Sequence, residues 1–407
     1  MRIALVHDWL TSVRGGERVF ALLSELYPHA DLFTLVHQPG SMPPELERRG
    51  IRTSWLQRMP WGVTHYRYYF PLLPLAAESL DLSDYDLVIS SSSAVVKGVL
   101  TRPEALHISY VHSPMRYIWD LAPDYFPRSK WRNRLFAPAL LAWMRSWDVT
   151  SSKRVDRFVA NSQFVARRIR KYYRRSSSVI HPPIDCGFFE GTLGGGAHYL
   201  MVSALVENKG VELAVEAFTR SGRALRIVGE GPMLRSLRQA AGPNIEFLGR
   251  IGESQLRQEY LNCRALVHCA VEDFGMAPLE AAAAGRATIA LAQGGSLETI
   301  RALGPDVGDD SATGVLFHQR TPQALQEAIH RFELAKDAFK TDVLRAHAHT
   351  FDREVAALRL REYVAQAWRA HKGLEAETGL PSELATEPQS VLNQATTPEP
   401  LEVVGPC

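Results

Sequence analysis

Short apolar runs alternate with amphipathic stretches along the first half of this chain. The runs typical of buried strands lie at residues 2–7, 31–36, 85–90, 105–111 and 157–161. Between them, residues 17–26 and 163–172 carry apolar side chains three and four positions apart, which indicates helices. Strands and helices in alternation predict a parallel sheet with helices on both of its faces.

A second alternation follows the glycine-rich stretch 191–196, which has the composition of a domain hinge. Its predicted strands lie at 199–204, 224–228, 245–249, 265–269, 287–292 and 314–317, and its predicted helices at 211–220, 232–241, 254–262, 279–284 and 322–334. We therefore predict an α/β protein in which two Rossmann-like, doubly wound domains face a central cleft. Residues 1–183 form the first domain and residues 184–350 the second.

The end of the chain changes in character. Residues 353–371 have a helical pattern, and we expect the segment 351–373 to form a helix that packs back on the first domain. Residues 374–407 contain six glutamates, no lysine or arginine and no aromatic residue. Such a segment cannot bury enough apolar surface to fold, so we predict a disordered acidic tail.

The chain has 407 residues and a formal net charge of +2, with 46% hydrophobic and 22% charged residues, as in ordinary globular proteins. Its four cysteines lack the close spacing of a metal site or a disulfide framework. The sequence opens on a strand pattern rather than a signal peptide, and no apolar run approaches the roughly 18 residues that span a bilayer. We expect a cytoplasmic protein that needs no metal ion or other cofactor.

Two glutamates stand out at the predicted edge of the second sheet. Glu272 follows the apolar run 265–270, and Glu280 lies eight positions later, in the alanine-rich stretch predicted as a helix. Ligands of doubly wound sheets bind at the carboxyl ends of the strands, so both acids are placed to face one crevice. The plainer alternative is a solvated acid and an acid favoured by the helix dipole.

Three further segments fall at carboxyl ends of predicted strands. Gly15 and Gly16 precede a predicted helix, whose free amides attract phosphate, although two glycines also suit a plain turn. Lys209 follows the first strand of the second domain and can neutralise a diphosphate without a metal, or stay a solvated loop lysine. His112 follows the strand 105–111, where it projects towards the cleft or packs as a core histidine.

These segments together resemble glycosyltransferases of family 4, which have the GT-B fold. The resemblance rests on the Glu-x7-Glu spacing of Glu272 and Glu280, on the run His-Ser-Pro-Met-Arg-Tyr-Ile-Trp-Asp at 112–120 and on Lys209, and it covers residues 1–370. The 112–120 run is similar to a subgroup that contains bacterial mannosyltransferases of surface-polysaccharide assembly. The resemblance implies a metal-independent, retaining transfer of a hexose, mannose from GDP-mannose, to a growing glycan on a polyprenyl diphosphate.

The resemblance also implies residue roles. His112, Lys209 and Glu272 are the catalytic candidates: Lys209 stabilises the departing diphosphate, Glu272 contacts the transferring sugar and His112 lies at the reaction centre. Glu280 binds the ribose hydroxyls of the donor. The full set of expected donor-binding residues is Gly15, Gly16, Lys209, Arg250, Glu272, Phe274, Gly275, Met276 and Glu280.

Two positions depart from the family pattern. Ala204 stands where the family usually has an arginine five residues before the lysine, and Ser93 stands where the subgroup commonly has histidine. We consider Arg250 as the substitute cation. If nothing replaces the arginine, a non-catalytic nucleotide-sugar-binding subunit becomes the competing interpretation, and a nucleotide-sugar epimerase or phosphorylase is the alternative within the same fold.

Positive charge is concentrated in one segment. Residues 128–175 contain fourteen lysines and arginines against two aspartates, Asp148 and Asp156, with tryptophans between them. One interpretation is a helix packed on its own domain with arginines in water. The other is attachment to the anionic inner face of the cytoplasmic membrane, where each basic residue adds about 1 kcal/mol and a lipid-linked acceptor would be met. The segment has no recognisable nucleic-acid-binding module, and we expect no nucleic acid partner.

Overall fold

The computed structural model of the chain describes residues 1–13, 15–126, 131–304 and 311–373, and for residues 131–136 it describes the backbone alone. The predicted acidic tail, 374–407, lies outside the described residues. Within the described ranges, the strands form a seven-stranded and a six-stranded sheet, and neighbouring strands pair in parallel. The predicted α/β class with two Rossmann-like sheets is therefore confirmed.

The first sheet is formed by residues from the first half of the chain. Its strands are β1 (Ile3–Leu10), β2 (Asp31–His37), β3 (Ile51–Thr53), β4 (Leu87–Ser92), β5 (Leu106–Val111), β6 (Arg157–Ala160) and β7 (Ser178–Val179). Its helices are α1 (Gly15–Leu26), α2 (Pro44–Glu47), α3 (Leu73–Glu78), α4 (Ala122–Tyr125), α5 (Trp131–Ser151) and α6 (Gln163–Tyr173). Strands β4 and β5 are buried at every position, as expected where helices cover both faces of a sheet.

The second sheet follows the same plan. Its strands are β8 (His198–Val202), β9 (Leu225–Val228), β10 (Ile245–Gly249), β11 (Cys263–His268), β12 (Thr288–Leu291) and β13 (Gly314–Phe317). Its helices are α7 (Cys186–Phe189), α8 (Val211–Ser221), α9 (Leu234–Ala240), α10 (Glu253–Asn262), α11 (Met276–Ala283), α12 (Ser296–Thr299), α13 (Pro322–Leu334) and α14 (Thr341–His349). A last helix, α15 (Arg353–His371), closes the described chain.

Strand order places a crevice at the same point of each sheet. The orders are β3-β2-β1-β4-β5-β6-β7 and β10-β9-β8-β11-β12-β13. In each sheet the order reverses beside the first strand, between β1 and β4 and between β8 and β11. Loops on either side of such a switch point diverge and leave room for a ligand at the carboxyl ends of the strands.

Helix α15 is part of the core of the first sheet. Ala356, Leu360, Val364 and Ala367 are buried in one cluster with residues of β1, β4 and α1. Their spacing of three and four residues forms one stripe of the helix, the amphipathic pattern that a surface helix uses to cover a sheet. The first domain is thus completed by the end of the described chain.

The chain crosses between the two domains twice, at one place. Ile184 and Asp352 form a parallel bridge, in which the Ile184 carbonyl accepts from the Arg353 amide at 2.9 Å. The glycine stretch that the sequence suggested as a hinge lies inside the second domain instead. The Gly194 amide donates to the Leu261 carbonyl at 2.9 Å, and a Cβ at residue 194 would lie 1.8 Å from the side chain of Asn262. Close packing, rather than flexibility, explains this glycine.

In the described ranges, no helix combines the length and the apolar composition needed to cross a bilayer.

Candidate active site

A cleft of about 420 Å³ opens between the carboxyl edges of the two sheets, at their switch points. Residues from both domains line it. Eight of the sequence-predicted site residues are among them: Gly15, Gly16, His112, Lys209, Glu272, Phe274, Gly275 and Met276. Five further lining residues were not predicted: Arg116, Asn161, Pro182, Asp273 and Ala277.

Lys209 and Glu272 form an ion pair in this cleft. Lys209 belongs to a short turn after β8, and its Nζ donates to Glu272 Oε1 at 2.6 Å. The turn ends at Gly210, with φ of 65°, where a Cβ would lie 2.9 Å from the carbonyl oxygen of Cys269. Glycine is therefore required to bring the lysine this close to the end of β11.

The charge of Glu272 is held by its neighbours. Burial alone would raise the pKa of its carboxyl group, but Lys209 and His268 outweigh burial and lower this pKa to about 2. The Nε2 atom of His268 lies 3.9 Å from Glu272 Oε2. Glu272 is consequently a carboxylate near neutral pH.

Glycines shape and support the loop between Glu272 and Glu280. Gly275, with φ of 88°, starts helix α11. The Gly295 amide donates to the Glu272 carbonyl at 2.9 Å, and a Cβ on Gly295 would lie 2.0 Å from the carbonyl oxygen of Phe274. The two glycines at 294–295 thus let a second loop support the backbone that carries Glu272.

Helix α1 begins at the opposite wall of the cleft. A Cβ on Gly15 would lie 2.9 Å from the Met276 sulfur, and a Cβ on Gly16 would lie 3.5 Å from His112 Nε2. The first turns of α1 and α11 therefore approach each other across the cleft. Both helix starts offer unpaired amides and the positive end of a helix dipole, which together favour an anion between them.

His112 follows β5 and is held from two sides. Its Nε2 lies 2.8 Å from Ser91 Oγ, and its backbone carbonyl accepts from Asn161 Nδ2 at 2.9 Å. Burial, helped by the nearby imidazole of His7, lowers the pKa of His112 to about 3. The imidazole is therefore neutral near pH 7 and acts as a hydrogen-bonding group rather than as a cation.

Arg116 is a cation that sequence reasoning missed, although it lies in the 112–120 run. Its guanidinium crosses from the first domain, donates to the Val271 carbonyl at 3.3 Å and lies 3.5 Å from Asp273 Oδ2. Asp273 is also bonded by Arg168 at 2.6 Å. The sequence did contain a signal for this pair. Arg116 and Asp273 are charged residues close to predicted site residues, since Arg116 lies four residues after His112 and Asp273 directly follows Glu272.

Glu280 is placed behind the cleft rather than on its lining. It is 7% exposed, accepts from the Tyr260 hydroxyl at 2.8 Å and from Arg18 at 3.0 Å, and so joins helix α11 to helix α1 of the other domain. Arg250, the expected substitute for the missing arginine, is exposed after β10 and does not line the cleft. The structure brings Arg116, not Arg250, into the cleft with Lys209.

Several cations of the basic segment are engaged in contacts within the protein rather than pointing freely into solvent. Arg145 donates to the Ile118 carbonyl at 2.7 Å, Arg154 pairs with Glu78 at 2.6 Å, and Arg175 donates to the Val155 carbonyl at 2.8 Å. Arg168 is buried in the contact with Asp273. Four further basic side chains of this segment lie outside the described part of the structure: Arg128, Lys130, Arg132 and Arg134. The same holds for Arg14, which precedes the glycine pair.

One group of metal-ligating side chains comes together among the described residues, away from the cleft lining. Cys186, His349 and Asp352 offer ligand atoms within 4.8 Å of one another, at the place where the chain crosses between domains. Cys186 is distant in sequence from His349 and Asp352, so spacing alone did not reveal the group. Since His349 also pairs with Glu190 at 2.6 Å, the group is already organised by internal contacts.

Two Rossmann-like domains and a cleft lined by a lysine, a carboxylate and two helix starts define the class of GT-B glycosyltransferases. Family models agree. Residues 13–188 match the model described as Glycosyltransferase Family 4, and residues 188–342 match the model described as Glycosyl transferases group 1. The chain belongs to glycosyltransferase family 4.

Solved structures show the same fold. HepE of Anabaena in complex with UDP superposes with a TM-score of 0.66 at 16% identity, over 90% of this chain and 100% of that one. Sucrose-phosphate synthase from Thermosynechococcus elongatus gives a TM-score of 0.65 at 17% identity, over 91% of this chain and 100% of that one. The WaaG glycosyltransferase of lipopolysaccharide biosynthesis gives a TM-score of 0.60 at 15% identity, over 89% of this chain and 99% of that one.

Curated relatives match in part. Glycogen synthase of Pseudomonas syringae pv. tomato is 27% identical over 193 residues, which are 46% of this chain and 36% of that protein. An uncharacterised glycosyltransferase of Methanocaldococcus jannaschii is 24% identical over 181 residues, 43% of this chain and 48% of that protein. The matched regions thus span between a third and a half of the length of these relatives.

Proposed function

We propose that this chain is a retaining glycosyltransferase that moves a hexose from a nucleotide sugar to a glycan or lipid-linked glycan, without a metal ion. The observation that carries the proposal is the convergence of Lys209, Glu272, Arg116 and His112 on one cleft between the two domains. A cleft of about 420 Å³ with two cations and a carboxylate on its lining offers positive charge for a diphosphate and room for a sugar.

The diphosphate of the donor would bind between the two helix starts. Lys209 and Arg116 supply two positive charges, one from each domain, and the free amides of α1 and α11 supply further donors. Arg116 then takes the part of the arginine that the family usually has at position 204. Positive groups that are in place before the reaction stabilise the negative charge that develops on the diphosphate as it departs. The departure of the diphosphate is the step at which this stabilisation matters most.

The ion pair of Lys209 with Glu272 suggests how the donor would be received. A diphosphate carries more negative charge than one carboxylate, so it would compete for Lys209 and leave Glu272 for the hydroxyls of the transferring sugar. As a carboxylate, Glu272 would then accept hydrogen bonds from these hydroxyls. The acceptor hydroxyl would attack on the face that the diphosphate leaves, and the diphosphate would help to take its proton.

The donor is proposed to be GDP-mannose, on the resemblance of the 112–120 run to mannosyltransferases of surface-polysaccharide assembly. UDP-glucose is the main competitor, because the HepE structure was solved with this nucleotide sugar. Release of nucleoside diphosphate from GDP- and UDP-sugars, measured with purified protein and a glycan acceptor, separates them. The anomeric configuration of the product tests retention, and inversion would overturn the mechanism.

Membrane attachment fits a lipid-linked acceptor, and a surface near the cleft supports it. Residues 51–77 contain no Asp or Glu, and three arginines, including Arg58 and Arg67. Trp61 is 75% exposed at an unusual φ of 52°, and Tyr68 is 81% exposed. We call residues 55–75 the aromatic segment. Tryptophan and tyrosine beside arginine are the residues that favour the interface of a membrane.

The aromatic segment adjoins the cleft. The ring of Phe70 packs at 5.2 Å from that of Tyr117, which follows Arg116 in the chain. A lipid-linked acceptor could therefore reach the cleft from a membrane that this segment touches. We propose peripheral attachment to the anionic inner face of the cytoplasmic membrane through the aromatic segment, with the exposed arginines of the basic segment adding charge.

Vesicle co-sedimentation tests this attachment. Binding to anionic vesicles should weaken between 0.1 M and 1 M salt, as the Debye length falls from about 10 Å to about 3 Å. A double variant, Trp61→Ser with Tyr68→Ser, should bind less, whereas Trp143→Ser on α5, 44% exposed, should bind as the parent. The reverse pattern would move the contact to α5, and no binding at low salt would remove it.

A second candidate is a non-catalytic nucleotide-sugar-binding subunit, favoured by alanine at position 204. Nucleotide binding without turnover, across the donor screen and with acceptor present, would support it. An epimerase or phosphorylase would instead change the donor without glycan extension, which product analysis with and without an acceptor detects. The presence of Arg116 in the cleft is the observation that favours the transferase.

A further inference from the structure

A chain of buried polar side chains lies directly behind His112. His7 in β1, Ser91 in β4 and His112 after β5 come from three neighbouring strands of the first sheet, and His7 is paired with Ser91 in the strand register. Ser91 Oγ lies 3.0 Å from His7 Nδ1 and 2.8 Å from His112 Nε2. Ser91 and His7 are 0% and 2% exposed, so water does not compete for these bonds.

Glu17 extends the chain at its far end. It lies in the first turn of α1, is 6% exposed, and its Oε1 is 3.8 Å from His7 Nε2. Gly16 packs against these polar side chains, because a Cβ at residue 16 would lie 3.5 Å from both His7 Cε1 and His112 Nε2. The glycine pair and the acid that follows it are thus built onto the same set of side chains.

The chemistry of these groups orients the protons. At 3.8 Å the Glu17 carboxylate is too far from His7 Nε2 for a direct hydrogen bond, but its negative charge favours the tautomer of His7 that carries its proton on Nε2. His7 Nδ1 then has a lone pair and accepts from the Ser91 hydroxyl. Because a hydroxyl has a single proton, Ser91 must accept from His112. The result is a proton on His112 Nε2 and a lone pair on His112 Nδ1.

We propose that Glu17, His7 and Ser91 are positioning residues that hold His112 in its Nε2–H tautomer, so that Nδ1 accepts a hydrogen bond from a hydroxyl of the sugar in the cleft. The part that concerns the sugar rests on the proposed transferase function. The tautomer itself does not, since it follows from contacts within the first domain. Burial keeps His112 neutral, as its lowered pKa indicates, so only its tautomer is left to be fixed.

The tautomer can be measured without any substrate. The full chain is labelled with ¹⁵N at histidine, and long-range ¹H–¹⁵N correlations identify which ring nitrogen carries the proton; His112→Gln assigns the His112 signals by their loss. The parent should show the Nε2–H tautomer at His112. Ser91→Ala and Glu17→Gln should each shift this signal towards a mixture, and an Nδ1–H tautomer in the parent would overturn the proposal.

Kinetics give the second test, with a matched control. Ser91→Ala should lower kcat about tenfold, the effect of losing one buried hydrogen bond, and change the donor KM by less than about twofold. Ser109→Ala is the control: Ser109 lies in the adjacent strand β5, is equally buried, and its hydroxyl has no hydrogen-bond partner among the described residues. It should leave kcat unchanged.

The experiments distinguish a failure of the proposed transferase function from a failure of the proposed positioning of His112. If the parent transfers no hexose from any donor, the proposed function is wrong, and the tautomer measurement still decides whether the three residues orient His112. If the parent is active and Ser91→Ala matches Ser109→Ala in kcat, the positioning role is wrong and the transferase proposal stands. Retention of a single His112 tautomer in both Ser91→Ala and Glu17→Gln would also reject positioning.

Discussion

Each domain contains a lysine–carboxylate pair, and the two pairs are surrounded differently. In the first domain, Lys97 lies 2.5 Å from Asp148, and both side chains are at most 1% exposed. In the second, Lys209 lies 2.6 Å from Glu272, and the side chains are 23% and 26% exposed. The bonds have nearly the same length, so distance does not separate a structural pair from a functional one.

The number of other partners does separate them. Asp148 also accepts from the Trp119 indole at 2.8 Å and from the Tyr173 hydroxyl, and Lys97 donates to Ser151 and lies over the rings of Trp147 and Tyr173. Every side of this pair is occupied. Glu272, by contrast, has only Lys209 and the more distant His268 among the contacts described for its carboxylate, and the cleft lies beside it. An ion pair that can exchange one partner for a ligand is the one to expect in a binding site.

The largest effect is expected in the enclosed pair. Lys97→Met removes one charge and leaves the Asp148 carboxylate buried, which typically costs about 3–5 kcal/mol of the free energy of unfolding. Urea unfolding of Lys97→Met measures it, with the exposed Lys153→Met as the control. The double variant Lys97→Met with Asp148→Leu should recover part of the loss, and a single variant as stable as the control would contradict the interpretation.

The open pair should respond in activity instead. Lys209→Ala is expected to lower kcat about 10²- to 10³-fold, or roughly 3–4 kcal/mol, because its charge matters most as the diphosphate departs. Donor KM should change less, and the unfolding free energy should fall by less than in Lys97→Met, because the Lys209–Glu272 pair is partly exposed. Near-normal turnover would remove Lys209 from the site, whereas a large loss of stability would make it a second structural lysine.

The two glutamates of the motif should also separate. Glu272→Gln is expected to reduce kcat, since its contact with the sugar changes as the bond breaks. Glu280 lies behind the cleft lining, so the donor ribose would reach it by displacing Arg18. Because such a contact is equal in the ground and transition states, Glu280→Gln should mainly raise the donor KM. Steady-state kinetics of both variants measures these changes, with Glu327→Gln at an exposed position of α13 as the control. Identical changes in both parameters would show that the proposed division of roles is wrong.

The smallest expected effect is that of a chelator. If Lys209 and the helix starts supply the positive charge, transfer should continue at the parent rate in EDTA. Cys186, His349 and Asp352 are the described side chains that could hold a metal ion together, so they provide a second test. The transfer rate of Cys186→Ala, like that of the parent, should not change when Zn²⁺ is added. Activity that disappears in EDTA and returns with Mg²⁺ or Mn²⁺ would contradict a metal-independent reaction.

Most of the fold was accessible from the sequence, because strands buried on both faces give continuous apolar runs. The predicted strand 245–249 and helix 322–334 have the observed bounds, and the strand predicted at 85–90 is shifted by two residues. The missed strands β3 and β7 have three and two residues, too few for a pattern. The glycine stretch was misjudged because composition cannot distinguish a flexible glycine from one packed against Asn262.

The site was accessible only in part. Residues that follow strands, such as His112, Lys209 and Glu272, could be placed at the cleft, since parallel strands end at one edge. Contacts between distant segments could not. The crossing of Arg116 to Val271 depends on how the domains meet, and the position of Ser91 between two histidines depends on strand register. Nor did the position of Lys97 between Val96 and Gly98 show that a lysine here is among the most enclosed side chains.

The contribution of α15 to the first domain bears on how the protein is made. The second domain has a core drawn from one continuous stretch of chain, from Ile184 to Phe351. The first lacks four of its core side chains until the ribosome has synthesised Ala367. The second domain can therefore complete its core before Ala367 is made, whereas the face of the first sheet that α15 covers stays open until then.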